Sequence, residues 1–344
     1  MRVLFLTPGL GLGGAEWWIL TLCKHFQRVD VAGIYACTRS YHRIMVSEAR
    51  RLGIPLLVPT EEVQFDAVIT WGNDAVRQVI GEFAGPVIEV AHNSPELKEV
   101  PPYLDRMCEQ VTHYAAVSAS AARGYPPEYR DRVRVIENGA DPDRLVPLHT
   151  PEFYRERWDL RPDSKIVLQM GRMTRNKRPD RLISACSHLP DNWVPVICGE
   201  GPELSISVEM AKQSGRKMIF CGATPDIGGL LQIADVVCLP SESEGMPLVP
   251  LEAWLAGTPV VTTPFPAMKD LHDRWGKVVC LVSENPQPEE LAAAIVSASH
   301  TVDVQHAFNV ASENYTAEVM TRRWEDFLLE VGSKVTPEPE YCHV

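Results

Sequence analysis

The sequence predicts an α/β chain built from two doubly wound, Rossmann-like domains. Three observations carry that prediction. Short apolar runs alternate with helical patterns in two successive series, the mark of parallel sheets crossed by helices. The first strand of each series leads into a loop suited to an anion: Gly9-Leu10-Gly11-Leu12-Gly13-Gly14 in one, Gly171-Arg172-Met173-Thr174-Arg175-Asn176-Lys177 in the other. The length of 344 residues accommodates two domains of this kind.

Taken in order, residues 3–7 read as a first strand, followed by a helix over about 15–26. A second strand over 29–37 leads to a helix near 42–52, and 55–58 offer a short strand. Residues 66–70 are again strand, with a helix over 74–83 behind them, and the strand at 86–91 delivers His92. Helical residues near 105–111, a strand at 114–118, a further helix and a strand at 133–136 close the first series. Residues 142–163 hold prolines and charges without a clear period and read as a connection containing a short helix. The second series has strands at 165–170, 194–198, 218–221, 236–239, 260–262 and 278–282. A final amphipathic helix spans 314–331, with Val319, Trp324 and Leu328 on or near one face. The domains so defined are 1–145 and 164–312, with a linker at 146–163, a terminal helix at 313–332 and a mobile tail at 333–344.

Composition narrows the function. A net charge of −12 argues against a nucleic-acid partner. The acidic excess lies mostly in the second half, so the first half could still meet a lipid or polyanionic acceptor. The nine cysteines show no Cys-x-x-Cys pair, which reads as reduced thiols and no zinc site. No apolar run is long enough to span a bilayer. The expectation is a cytoplasmic protein with peripheral contact at the inner membrane face through its acceptor.

The most specific segment is Ser241-Glu242-Ser243-Glu244-Gly245-Met246-Pro247-Leu248-Val249-Pro250-Leu251-Glu252-Ala253-Trp254. It joins a buried strand to a helix, with Pro247 suited to the first helical position and Gly257-Thr258-Pro259 as the stop. Such a junction presents free backbone N–H groups to an anion. Glu244 stands before the helix and Glu252 in its second turn, so both carboxylates can face one crevice. A phosphate cradle flanked by two acceptors suits a sugar nucleotide.

This stretch resembles the Glu-x7-Glu signature of retaining family 4 glycosyltransferases, which have the GT-B fold of two Rossmann-like domains facing a cleft. The resemblance covers 165–275 strongly and 1–140 more weakly. It implies transfer of a sugar from a nucleoside-diphosphate sugar to an acceptor hydroxyl, in glycan, polysaccharide or glycolipid synthesis. It makes the first domain the acceptor side and the second the donor side, with the last helix crossing back to the first. By resemblance, Glu244 touches hydroxyls of the donor sugar and Glu252 the ribose. Arg172 and Lys177, with the amides of the Gly245-Met246-Pro247-Leu248-Val249 run, hold the diphosphate. Glu200 in Gly199-Glu200-Gly201-Pro202 lies beside the nucleotide, and Ala223 in Cys221-Gly222-Ala223-Thr224 is where the backbone meets the base. Gly13 and Gly14 of Gly13-Gly14-Ala15-Glu16 approach the donor phosphate, and His92 touches the sugar or the reacting centre. No cofactor and no metal are implied; the donor is a UDP- or GDP-sugar and the acceptor a glycan, a lipid-linked glycan or a small molecule.

The sequence departs from the family's pattern in two places. Trp17-Trp18 replaces the arginine common after Gly-Gly-Ala-Glu and would shape the acceptor pocket. Pro266-Ala267 and Asp270 stand where the family places Gly-Gly and an acid. Ser118 also matches a family pattern and reads equally well as a helix cap, whereas Asn138-Gly139-Ala140-Asp141, which matches one too, reads better as a structural turn. Two other classes stay open. An NADP-dependent oxidoreductase would use Gly9, Gly11 and Gly14, although the second strand ends in Cys37-Thr38-Arg39 rather than an acid. A non-catalytic sugar-nucleotide-binding protein would keep the donor site and turn nothing over.

Overall fold

A computed structural model describes residues 1–57, 62–71, 83, 85–93, 111–333 and 341–343. The chain divides into two units, Met1–Asn138 with Ala317–Val344, and Gly139–Thr316.

The first unit begins with β1 (Arg2–Thr7), α1 (Gly14–His25), β2 (Asp30–Ala36) and α2 (Arg43–Arg51). It continues with β3 (Glu62–Gln64), β4 (Ala67–Thr70), β5 (Val87–Ala91), β6 (His113–Ala116), the short α3 (Ala119–Ala122) and α4 (Pro127–Arg130), and β7 (Val133–Val135). Six strands form a parallel sheet in the order β2-β1-β4-β5-β6-β7. Val3, Leu4, Phe5 and Leu6 are all buried, so β1 is covered on both faces and reads as a continuous apolar run. The strand expected at 55–58 reduces to one bridge, Leu56 to Ile34. It is seated by Gly33, where a Cβ would lie 2.7 Å from the Leu57 side chain. The helices expected over 74–83 and 105–111 fall, apart from Phe83 and Val111, outside the described residues.

The second unit opens with a 3-10 turn at Pro142–Leu145 and α5 (Pro151–Arg157). Residues 146–163, read above as a connection, therefore pack within this unit. Its series then runs β8 (Lys165–Met170), a 3-10 turn at Arg175–Lys177, α6 (Pro179–Ala185), β9 (Trp193–Cys198), α7 (Leu204–Ser214), β10 (Ile219–Gly222) and α8 (Ile227–Ile233). It ends with β11 (Val236–Leu239), α9 (Leu248–Leu255), β12 (Val260–Thr262), α10 (Pro266–Trp275), β13 (Cys280–Leu281), α11 (Pro288–Thr301) and α12 (Val304–Asn314). The parallel sheet has the order β10-β9-β8-β11-β12-β13, the dinucleotide-fold order counted from β8. Val167, Ile197, Val236 and Val261 of the sheet pack with Leu182, Leu291 and Ile295 in its main core cluster. The last strand is two residues rather than 278–282, and it pairs with β12 at the sheet edge.

The helix expected over 314–331 is interrupted. Tyr315 leaves the helical conformation, and Ala140 bridges to Thr316, with the Ala140 N–H donating to the Tyr315 carbonyl at 2.8 Å. After that break α13 (Ala317–Gly332) runs in the first unit and packs on α1. Met320, Trp324, Phe327, Leu328 and Val331 form its buried face, whereas Val319 does not. The buried carboxylate of Glu325 accepts the N–H of Gln27 at 2.6 Å, which ties α13 to the end of α1. Of the tail, β14 (Tyr341–His343) pairs antiparallel with β3. Residues 334–340 and 344 lie outside the described residues.

Candidate functional site

In the second unit the strand order reverses between β8 and β11, and open α/β sheets bind ligands where that reversal leaves a crevice at the strand ends. The loops leaving those two strands hold Arg172 and Lys177 on one side, and Glu244 and Glu252 on the other. They are stitched together. The Lys177 ammonium is ion-paired with the Glu244 carboxylate. The Asn176 side-chain amide donates to the Ser243 carbonyl at 2.6 Å, and the Glu242 N–H donates to the Asn176 carbonyl at 2.9 Å. Arg178 reaches Glu242 at 2.7 Å while also holding Asp180. The Ser241 hydroxyl donates to Glu244 at 2.9 Å, so the carboxylate is oriented by a cation and a hydroxyl together.

A small pocket of about 10 Å³ lies at the end of β8, lined in part by Gln169, Gly171, Arg172, Lys177, Ile197 and Cys198. Gln169 donates to the Lys177 carbonyl at 2.9 Å, and its buried side-chain oxygen has no partner among the described residues. Arg172 and Glu200 are exposed at the surface of their loops. The glycines flanking Glu200 are there for packing: a Cβ on Gly199 would lie 1.9 Å from the Gly171 carbonyl oxygen, and one on Gly201 2.3 Å from that of Met173. The Met173 N–H donates to the Glu200 carbonyl at 2.8 Å. This turn therefore supports the Arg172 loop from beneath. Ala223 follows β10 and is half-buried.

Helix α9 begins at Leu248, so Pro247 is the N-cap rather than the first helical residue. Pro247 and Pro250 have no N–H, which leaves Leu248 and Val249 as the amides of the first turn, and no side chain caps them. Gly245 and Met246 are buried in the approach to this helix. Glu252, one turn further on, is only 2 % exposed. Its Oε1 accepts from Arg144 Nη1 at 2.6 Å. Sequence reasoning missed Arg144, which stands three residues after Asn138-Gly139-Ala140-Asp141 in a segment read as irregular. It also missed Asp226, whose buried carboxylate accepts from the N–H groups of Leu148, His149 and Gly229 and from the Tyr154 hydroxyl.

In the first unit Gly13 is the N-cap of α1 without a side-chain partner, and Gly14 faces open space. His92 follows β5 and lies in an aromatic cluster, 4.7 Å from Trp18 and 5.0 Å from Trp71 by ring centroid. Its Nε2 is enclosed with no partner among the described residues. Burial lowers its pKa to about 3, so the ring is neutral across the physiological range. A neutral imidazole is a hydrogen-bonding group rather than a standing cation. Trp18, expected to shape an acceptor pocket, is fully buried against Phe5, His92, Trp71 and Trp324. Its large apolar ring sits on the core face of α1, which decides its role in favour of packing.

Residues 151–314 match the family model described as glycosyl transferases group 1. Over these residues the chain is similar to group 1 glycosyltransferases. The matched residues include Arg172, Lys177, Glu200, Ala223, Glu244 and Glu252, while Arg144 precedes them. Among curated proteins, the chain is 30 % identical over 197 residues to a D-inositol 3-phosphate glycosyltransferase of Corynebacterium urealyticum, covering 50 % of this chain and 45 % of the relative. It is 33 % identical over 153 residues to the putative teichuronic acid biosynthesis glycosyltransferase TuaC of Bacillus subtilis, covering 44 % and 37 %. The chain thus spans less than half the length of these relatives. Among solved structures it is similar to Anabaena HepE in complex with UDP-glucose, with a TM-score of 0.83 at 18 % identity over 96 % of this chain and 100 % of that one. A sucrose-phosphate synthase from Thermosynechococcus elongatus gives a TM-score of 0.71 at 14 % identity, covering 97 % and 100 %. The fold is GT-B, with two parallel sheets flanked by helices. Among the described residues no helix is long and apolar enough to cross a membrane, and no cluster of three or more His, Cys, Asp or Glu side chains could hold a metal ion.

Proposed function

We propose that the protein is a retaining glycosyltransferase that moves a sugar from a nucleoside-diphosphate sugar to an acceptor hydroxyl. The observation that carries this reading is the pair of stitched loops at the β8/β11 reversal, where Lys177 meets Glu244 directly ahead of the two uncapped amides of α9. The proposed donor is a UDP-sugar. HepE, similar in fold, is described in complex with UDP, with UDP-glucose, and with UDP and glucose. The proposed acceptor is the hydroxyl of a glycan, lipid-linked glycan or small molecule, met at a membrane surface when lipid-linked; one relative is named for transfer to a diphosphoundecaprenol-linked sugar.

In this reading the amides of Leu248 and Val249, with Arg172 and Lys177, bind the diphosphate and stabilise the charge that builds as it leaves. The anomeric carbon–oxygen bond breaks and its electron pair goes to the phosphate. The acceptor oxygen bonds to the same carbon on the same face, and its proton passes to the leaving phosphate oxygen. Lys177 then exchanges Glu244 for a phosphate, which frees Glu244 to accept from sugar hydroxyls. Glu252 accepts from the ribose. Glu200 and Ala223 border the nucleotide.

Calorimetry with UDP-, GDP- and ADP-sugars and with NADPH tests the reading. Binding of one nucleotide sugar, weakened about tenfold or more in Lys177→Ala and in Glu252→Ala, is the expected result for lost charge-assisted hydrogen bonds. Binding of NADPH alone would move the site to the first glycine loop. Tight sugar-nucleotide binding without hydrolysis or transfer to any acceptor panel would favour a non-catalytic binder.

A further inference from the structure

We infer that Arg144 is the positioning residue that aims Glu252 at the nucleotide ribose, and so sets the preference for ribonucleotide over 2′-deoxyribonucleotide donors. The inference rests on the donor-site reading above and adds to it a residue outside the segment that matches the family model.

The geometry is specific. Glu252 is 2 % exposed, and a carboxylate so enclosed needs a partner for its charge. Arg144 supplies it through one short contact, Nη1 to Oε1 at 2.6 Å, and its own side chain is 13 % exposed. No described residue donates to the second oxygen of Glu252, which leaves Oε2 as the acceptor for a hydroxyl. A carboxylate fixed through one oxygen presents the other in a single direction, and that is the requirement for reading a ribose hydroxyl rather than merely tolerating it.

Arg144 is itself held. Asp141, buried, caps the 3-10 turn by accepting from the Asp143 N–H at 3.1 Å. Beneath the turn, a Cβ on Gly228 would lie 2.2 Å from the Leu145 carbonyl oxygen, so only glycine lets the turn settle on α8. Beyond it, Asp226 takes the N–H groups of Leu148 and His149 at 2.9 and 3.0 Å. The turn is thus fastened before, below and after Arg144. Surface ion pairs have no such scaffolding, and a pair made only for folding would not need one carboxylate oxygen left over.

The test is calorimetric binding of UDP and 2′-deoxy-UDP to the full chain, with GDP and 2′-deoxy-GDP as the second pair. The wild type is expected to favour the ribonucleotide by about tenfold or more, the worth of a hydrogen bond to a charged acceptor. Arg144→Ala should bring that ratio close to one, with the deoxynucleotide affinity nearly unchanged. Arg144→Lys should restore part of the ratio. Arg144→Gln, which keeps the length and a donor, serves if the alanine variant does not fold, and is expected to lose most of the ratio. Glu252→Ala separates the two readings: it must abolish the preference for the ribose role of Glu252 to stand at all. A ratio lost in Glu252→Ala but kept in folded Arg144→Ala and Arg144→Gln overturns the role of Arg144 alone. A ratio kept in Glu252→Ala overturns the ribose reading and this inference with it.

Discussion

Asp226 shows how much one buried side chain can organise. It caps α8 through the Gly229 N–H at 2.9 Å and takes the Tyr154 hydroxyl at 2.6 Å, besides the two amides of the preceding segment. Burial pushes its pKa up, but the Tyr154 hydroxyl, the Leu148 and Gly229 N–H groups and His149 outweigh that push, and the net shift is downward. A carboxylate with a lowered folded pKa stabilises the fold at every pH above its unfolded value near 4. That contribution is lost as pH falls through the folded value below it. Asp226→Asn keeps the shape but turns one acceptor into a donor facing N–H groups, and a loss of about 3 kcal/mol is expected by urea unfolding at pH 7. The variant should also lose less of its remaining stability than the wild type between pH 4 and pH 2. A wild-type slope in that window would remove Asp226 from the acid response. Nothing in the local sequence marks Asp226: an acid before Ile227-Gly228-Gly229 reads as one more cap, and its other partners come from 72 to 78 positions away.

At the scale of elements, the sheets were legible because burial of both faces writes a parallel strand as an unbroken apolar run. The strands at 165–170, 236–239 and 260–262 coincide with β8, β11 and β12. The final helix was harder to bound. Helical periodicity continues through 314–331, but a backbone bridge from Ala140 to Thr316 takes the chain out of the helix at Tyr315. A bridge to a residue so distant in sequence is invisible to local patterning. The glycines of α8 are the reverse case. Gly228-Gly229 looks like a weak helix, yet Gly228 is the seat of the Pro142–Leu145 turn and Gly229 the close neighbour of Asp226. Gly228→Ala should improve helix propensity and still destabilise the protein by about 2 kcal/mol, because the added methyl meets backbone rather than a movable side chain. Thermal melts of Gly228→Ala beside a control such as Gly14→Ala, exposed at the start of α1 with open space around an added Cβ, would read this difference. A neutral Gly228→Ala would mean that the turn shifts freely.

At the scale of the molecule, the two units carry different acid sensors. In the first, burial holds the His92 pKa at about 3, far below its unfolded value near 6.5. The unfolded chain therefore binds more protons than the folded one between those values, and stability falls as pH drops from 6.5 towards 3. His92 as a whole residue is half-buried although its Nε2 is enclosed, so a loss of about 1 kcal/mol at pH 5 is expected. In the second unit the Asp226 contribution persists until pH passes below 4. Peptide-resolved hydrogen exchange at pH 7, 5 and 3 should show β1, β4 and β5 losing protection before β8 and β11. Simultaneous loss would mean that the units unfold as one.

The sequence by itself determined the two α/β series, the order of their strands along the chain and the identity of the loops that carry Arg172, Lys177, Glu244 and Glu252. Each of these is written in neighbouring residues, as apolar runs, glycines at strand ends and the spacing of two acids across one junction. Only the tertiary structure decided that Trp18 is core, that His92 is a neutral ring among aromatics, that Lys177 pairs with Glu244, and that Glu252 answers to Arg144. Those facts depend on which side chains are brought together from distant positions and on how much water is left between them. Burial and charge pairing are properties of the folded surroundings, and no local stretch of residues encodes them.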